Sequence, residues 1–231
     1  MKRPLFLCLM ILVFWSAFAL GEEENVLVVR TSQAEYDEKS GKIIAQASTL
    51  TWRDLEIFCP SLEVDTRAQE VKTGGDIRVV WKDFEAHVAS LVYSRKTNIL
   101  SISSLSGLGK DVAFSSQTGF FDFGKNLAHF EGNPRLSLRG FELSLGKVDY
   151  DFSQRVWKGD DATLVREGWR GKAKRALYTE GSNLFVLEGE AEINREGNLL
   201  RGERITVNLD TLKVQVEGNV EIFLLPPKGE E

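Results

Sequence analysis

Cysteine and histidine are scarce, two of each in 231 residues. That excludes most metal centres built from Cys and His, so neither metal nor cofactor is expected. Cys8 falls in an apolar amino-terminal run, which leaves Cys59 alone in the body of the chain, unable to form an intramolecular disulfide there. A lone cysteine of this kind is expected to pack as a small apolar residue. Five prolines are too few for a proline-rich linker. There is no basic block either. Residues 22–231 carry 27 Lys and Arg against 34 Asp and Glu, an acidic balance that argues against nucleic acid as a partner. Gly-x-Ser-x-Gly, His-Glu-x-x-His and phosphate-loop patterns are missing. Gly107-Leu108-Gly109-Lys110 is too short for a nucleotide loop and reads as a turn. Asp160-Asp161 reads as a solvated loop, because neighbouring strand residues face opposite sides and cannot share acid/base work. His87 and His129 stand alone in the sequence. No catalytic residue, and so no enzyme, is expected.

The chain does have ordinary globular content, 42% hydrophobic and 27% charged residues. Lys2-Arg3 precede eighteen uncharged residues, Pro4 to Gly21, which meet Glu22-Glu23-Glu24. A cationic start, an apolar stretch and small residues at Ala19 and Gly21 make residues 1–21 a secretory signal cleaved before Glu22. The rival reading is an uncleaved anchor, since eighteen residues lie at the short end of the spanning range. Either way residues 22–231 form the exported body.

A repeat runs through that body. Tyr36-Asp37, Val64-Asp65, Tyr93-Ser94, Phe121-Asp122, Tyr150-Asp151, Tyr178-Thr179 and Val207-Asn208 each end a short apolar alternation, at spacings of 28, 29, 28, 29, 28 and 29. A turn-like group follows each anchor, then a new apolar run, a glycine or small residue and a second strand. This is the signature of repeated hairpins. Seven such units give about fourteen strands. Gly132, Gly189 and Gly218 interrupt strands within Glu-Gly-Asn or Glu-Gly-Glu, and such glycines mark bends where a sheet folds over.

Period two fixes the faces. Val214, Val216, Val220 and Ile222 share one side near the chain end, while Lys213, Gln215, Glu217, Asn219 and Glu221 share the other. Tyr150, Phe152, Tyr178 and Val207 fall on the apolar side of earlier units. No segment has the helical period that could cover this side, so an all-β sheet must fold upon itself as a jelly roll or folded β-roll. The interior is then either packed by its own side chains or left partly open. Arg166, Arg170, Lys172, Lys174 and Arg175 are the one cationic concentration, readable as a solvated strand and turn or, on the resemblance described next, as contacts to lipid phosphates at an open edge.

Leu200-Arg-Gly-Glu-Arg-Ile205, the strand that follows it and Glu217-Gly-Asn-Val220 resemble the OstA-like family of lipopolysaccharide-transport proteins, which includes LptA, LptC and the LptD amino-terminal domain. The pattern is clearest over residues 175–225. Residues 118–151 resemble it less closely, and residues 30–115 mainly by period. The resemblance implies that residues 22–231 form an OstA-like β-jelly roll, open along one side. It implies a periplasmic protein, part of a bridge from inner to outer membrane, that binds lipopolysaccharide. The acyl chains would then lie on Tyr150, Phe152, Tyr178, Val207, Val214, Val216, Val220 and Ile222. The implied partners are LptC-like and LptD-like domains, stacked by edge strands, and further copies of this chain in a homo-oligomer. An uncleaved residue 1–21 segment would instead make it an LptC-like component anchored in the inner membrane. An outer-membrane β-barrel also alternates its faces, but many of its outward positions would be charged.

Overall fold

The computed structural model describes residues 28–52, 55–81, 84–109, 112–179 and 181–224. The expected signal or anchor at 1–21 and the Pro226-Pro227 pair lie outside these residues. Every regular element described is a strand, and no helix among the described residues is long and apolar enough to cross a membrane. The fold is all-β, with eighteen strands among the described residues.

The chain divides into two units, Met1–Thr97 and Asn98–Glu231. The first holds β1 (Val28–Arg30), β2 (Gln33–Asp37), β3 (Lys42–Trp52), β4 (Leu55–Asp65), β5 (Glu70–Trp81) and β6 (Phe84–Ser94). The second begins with β7 (Ile99–Leu108), β8 (Val112–Asp122), β9 (Leu127–Glu131), β10 (Arg135–Leu138), β11 (Phe141–Ser144) and β12 (Lys147–Asp151). It continues with β13 (Val156–Arg166), β14 (Trp169–Thr179), β15 (Leu184–Arg195), β16 (Asn198–Asn208), β17 (Val214–Glu217) and β18 (Glu221–Phe223). Within each unit successive strands pair antiparallel. Four long strands are broken at mid-length and count twice. Both β1 and β2 pair with β3, β9 and β10 with β8, β11 and β12 with β13, and β17 and β18 with β16. Rejoining the halves leaves fourteen long strands, the number the repeat predicts.

The anchor residues owe their period to the turns. Asp65 Oδ1 accepts hydrogen bonds from the amides of Arg67 and Ala68, Asp151 Oδ1 from Ser153 and Gln154, and Asn208 Oδ1 from Asp210 and Thr211. Each anchor therefore folds the chain behind it into an Asx turn. These bonds, the Ala68 amide foremost, hold the Asp65 carboxyl below its ordinary range. Adjacent turns are also joined to one another. The amide of Thr66 donates to the Gly41 carbonyl at 3.0 Å, Phe152 to Asn126 at 3.0 Å and Leu209 to Asn183 at 2.7 Å.

Alternate long strands bend at mid-length. The bends are left-handed residues: Ala47 and Gly75 in the first unit, then Ser104, Gly132–Asn133, Asp161, Gly189–Glu190 and Gly218–Asn219 in the second. The ladder slips at the same places, between Glu188 and Ala191 for example. Asp160-Asp161 is therefore not a loop. It lies within β13, Asp160 opposite Lys147 and Asp161 at the bend, because aspartate tolerates left-handed backbone. Gly107-Leu108 likewise belongs to β7, with Gly107 opposite Phe114.

In the second unit the bends fold the strands into two walls. Phe114 of one wall meets Trp157 of the other with ring centroids 5.3 Å apart. The core between them includes Phe141, Leu164, Phe185, Leu187, Ile193 and Ile205. The first unit has its own core, with Ile43, Leu62, Val64, Ile77 and Val88. Cys59 is buried there, its thiol pushed up by burial, and Sγ lies 3.5 Å from the Ser48 carbonyl.

Candidate functional site

The inward face of the second unit is built from cross-strand rows. Tyr150 lies opposite Trp157, Trp157 opposite Tyr178, Tyr178 opposite Phe185, Phe185 opposite Val207 and Val207 opposite Val214. One step deeper, Ile205 faces Val216. On the other wall Ile193 faces Leu200 and Leu200 faces Ile222. Period two and strict register thus bring Tyr150, Tyr178, Val207, Val214 and Val216 onto one wall, and put Ile222 on the other. Phe152 sits at the turn end of the first row, its ring 4.7 Å from that of Tyr150. Val220 follows the bend at Asn219.

Exposure grades along this face. Val207 is 0% and Tyr150 5% exposed, so the middle strands are closed by their own side chains. At the last strands the face opens. Val220 is 48% and Ile222 58% exposed, and Phe223 and Leu224 are exposed beside them. Such an apolar strip, continuous with a packed core, can take up an alkyl chain at ~0.8 kcal/mol for each methylene removed from water.

The outward face is a different surface. Glu131, Lys147, Asp160, Arg175, Glu188, Arg204 and Glu217 follow one another across seven neighbouring strands, alternating in sign at every step. Lys147 reaches Asp160 at 3.2 Å, and Arg175 and Arg204 reach Glu188 at 3.7 and 3.4 Å. Exposed pairs of this kind are screened by solvent and add little to stability. The cationic concentration divides here. Lys172 pairs with Glu192 at 3.1 Å and Lys174 with Glu190 at 2.5 Å, both on the outward face. A trough of about 660 Å³ runs among these residues, and charged side chains make up most of its rim. His129 is alone only in sequence. Its Nδ1 lies 2.5 Å from Asp149 and its Nε2 2.8 Å from Glu131. Burial pulls the imidazole down, but the two carboxylates outweigh it and raise its pKa.

Among the described residues, Arg139 links the open ends of the two walls. The guanidinium of Arg139, in the hairpin turn between β10 and β11, donates to Asp210 and, at 3.1 Å, to Asn183 Oδ1; Asn183 also donates to Asp210. Arg139 has φ 49° and Gly140 φ 80°, a two-residue turn with both residues left-handed. Sequence reasoning missed this link, since residues 139 and 210 are paired by no local pattern.

Residues 146–213, under a third of the chain, match the family described as the LptA/(LptD N-terminal domain) LPS transport protein. No curated protein matches the chain. Among solved structures, LptH, the LptA homologous periplasmic component of the lipopolysaccharide transport device of Pseudomonas aeruginosa, aligns over 88% of this chain and 97% of its own. The identity is 13% and the TM-score 0.25. The stretch from Gly146 to Lys213, which contains the Leu200–Ile205 motif and most of the inward rows, is thus similar in sequence to LptA and LptD amino-terminal lipopolysaccharide-transport domains.

Proposed function

We propose that the protein binds lipopolysaccharide through its acyl chains and passes it along the periplasm as part of a bridge between the two membranes. The observation that carries this reading is the inward face of the second unit. It is apolar on two walls, packed at β12–β16 and open at Val220 and Ile222. The sequence similarity over 146–213 supports the lipid class. Residues 1–21 export the chain and are removed, leaving residues 22–231 as an OstA-like body; retained, they would make it an LptC-like anchored component. A membrane barrel is disfavoured, because the outward face carries the seven-strand charge ladder that lipid would penalise.

The bridge forms by edge pairing, with copies of this chain and with other OstA-like domains. β1 and β2 both pair with β3, and β17 and β18 both pair with β16. The repeat register carries from one end to the other. If β17 and β18 of one copy pair antiparallel with β2 and β1 of the next, Val214 meets Tyr36 and Val216 meets Ala34. On the outward face Lys213 meets Asp37. Arg30 occupies the row of Thr49, and Glu221 the equivalent row through Arg201, so these two opposite charges also meet.

Photo-crosslinkers test the lipid path. Placed at Val216 or Ile222 they should capture lipopolysaccharide in cells; placed at Thr206 or Gln215, on the outward face, they should not. Equal capture from both faces would remove the support for an inward lipid path.

A further inference from the structure

The inward face of the second wall ends in a row that is not purely apolar. Leu143 lies opposite Leu164, and both are buried. Arg166 follows Leu164 by two residues, so it points to the same side. Arg166 lies opposite Trp169 and Trp169 opposite Arg195. Trp169 is 4% exposed, which turns the row toward the inside, with Arg166 half-buried and Arg195 exposed at the lip. The Arg166 guanidinium sits over the Phe141 ring at 4.7 Å, and that of Arg195 over the Trp169 ring at 4.8 Å. Two strand spacings put the arginine backbones about 10 Å apart.

These cations differ from those of the outward face. Lys147, Lys172, Lys174, Arg175, Arg201 and Arg204 all pair with carboxylates. Arg166 and Arg195 pair with none among the described residues. Nη1 of Arg166 is buried with no hydrogen-bond partner. A buried donor without an acceptor is costly, and a guanidinium stacked on a ring still offers its edge N–H groups to an oxyanion.

We infer that Arg166 and Arg195, at the inner lip of the second wall, bind the phosphate monoester headgroup of an amphiphile whose alkyl chains lie on the apolar rows behind them. This rests on the lipid-carrier reading and adds the polar half of the ligand. The arrangement suits an amphiphile in particular, because the guanidiniums share a face and a wall with Leu143, Leu164 and Ile193. A soluble anion would gain nothing from that apolar floor.

The test is displacement of the neutral dye Nile red from the full chain by dodecyl phosphate, by dodecan-1-ol and by inorganic phosphate. Dodecyl phosphate should act at ~10-fold lower concentration than dodecan-1-ol, the size of effect that one charge-assisted contact supplies. In R166Q/R195Q the two should come within about twofold of each other, with dodecan-1-ol unchanged, which also certifies the fold. R166K/R195K should keep the preference, as should R170Q, whose change lies on the outward face of β14, the strand between the two arginines. If R166Q/R195Q keeps the full preference, the lip assignment fails while the carrier reading stands. If dodecan-1-ol displaces no dye, the carrier reading fails and the lip assignment with it. If inorganic phosphate weakens dodecyl phosphate binding at equal concentration, the site takes free anion and the headgroup assignment is overturned.

Discussion

Ala47, Ser104 and Asp161 hold the same left-handed backbone that Gly75, Gly132, Gly189 and Gly218 hold at the other bends. For an L-residue with a Cβ that conformation costs roughly 1–2 kcal/mol. Glycine avoids the cost but loses about 0.4–1 kcal/mol through the freedom it gives the unfolded chain. At Ala47, whose side chain is exposed, the first term is the larger. Ala47→Gly is therefore expected to stabilise the first unit by ~0.5 kcal/mol in urea unfolding. Gly132→Ala should do the reverse and more. Its φ is +78°, and a Cβ there would lie 2.6 Å from Cβ of Gln117. The expected loss is about 2–3 kcal/mol, with strain and overlap adding. Stabilisation by Gly132→Ala would show that the bend is not a fixed feature of the strand.

At the scale of the element, hairpins were legible because their anchors are few in kind. An Asp, Ser, Thr or Asn after an apolar residue recurs every 28 or 29 positions, and in the structure several of these side chains cap their own turns. The bends were legible only where glycine marks them. Ala47, Ser104 and Asp161 carry no such mark, so Asp160-Asp161 reads as a loop although it lies mid-strand. Edge strands carry a prediction of their own. In the proposed stack Glu221 of one copy faces Arg30 of the next, and a facing pair of opposite charge contributes roughly 0.2–1 kcal/mol. Glu221→Arg alone, or Arg30→Glu alone, turns attraction into repulsion and should weaken association about tenfold. The double variant E221R/R30E restores an opposite-charge pair and should recover most of it. Sedimentation of all four proteins at one salt concentration decides the matter. If the double variant associates no better than either single change, this register is wrong.

For the whole molecule, parity in the sequence placed the apolar rows well and their limits poorly. Tyr150, Tyr178, Val207 and Val214 fall into one cross-strand row, as alternation requires, but alternation is silent on how far a face stays covered. Ile222 lies in the cross-strand row of Ile193 and Leu200, yet it is 58% exposed. Parity put Arg166 on the side of Leu164 and Arg195 on the side of Ile193, but it did not show the rings of Phe141 and Trp169 that make charge tolerable there. Least legible was the link that joins the open ends of the second unit's walls, since Arg139 and Asp210 are 71 residues apart. Both side chains are about a third to a half exposed, so the pair is screened and adds less than ~1 kcal/mol to stability. A link that weak can part without unfolding the walls, and if the proposed ligand enters between the first wall's turns and the second wall's hairpin it passes this link. Arg139→Ala should therefore lower the melting temperature by no more than ~3 °C. It should also speed uptake of Nile red several-fold in stopped-flow mixing, with the equilibrium amount bound nearly unchanged. Uptake at the wild-type rate would mean that ligand enters elsewhere, at the exposed strands β17 and β18. A melting point lowered by 10 °C or more would mean that Arg139 holds the fold together and is no gate.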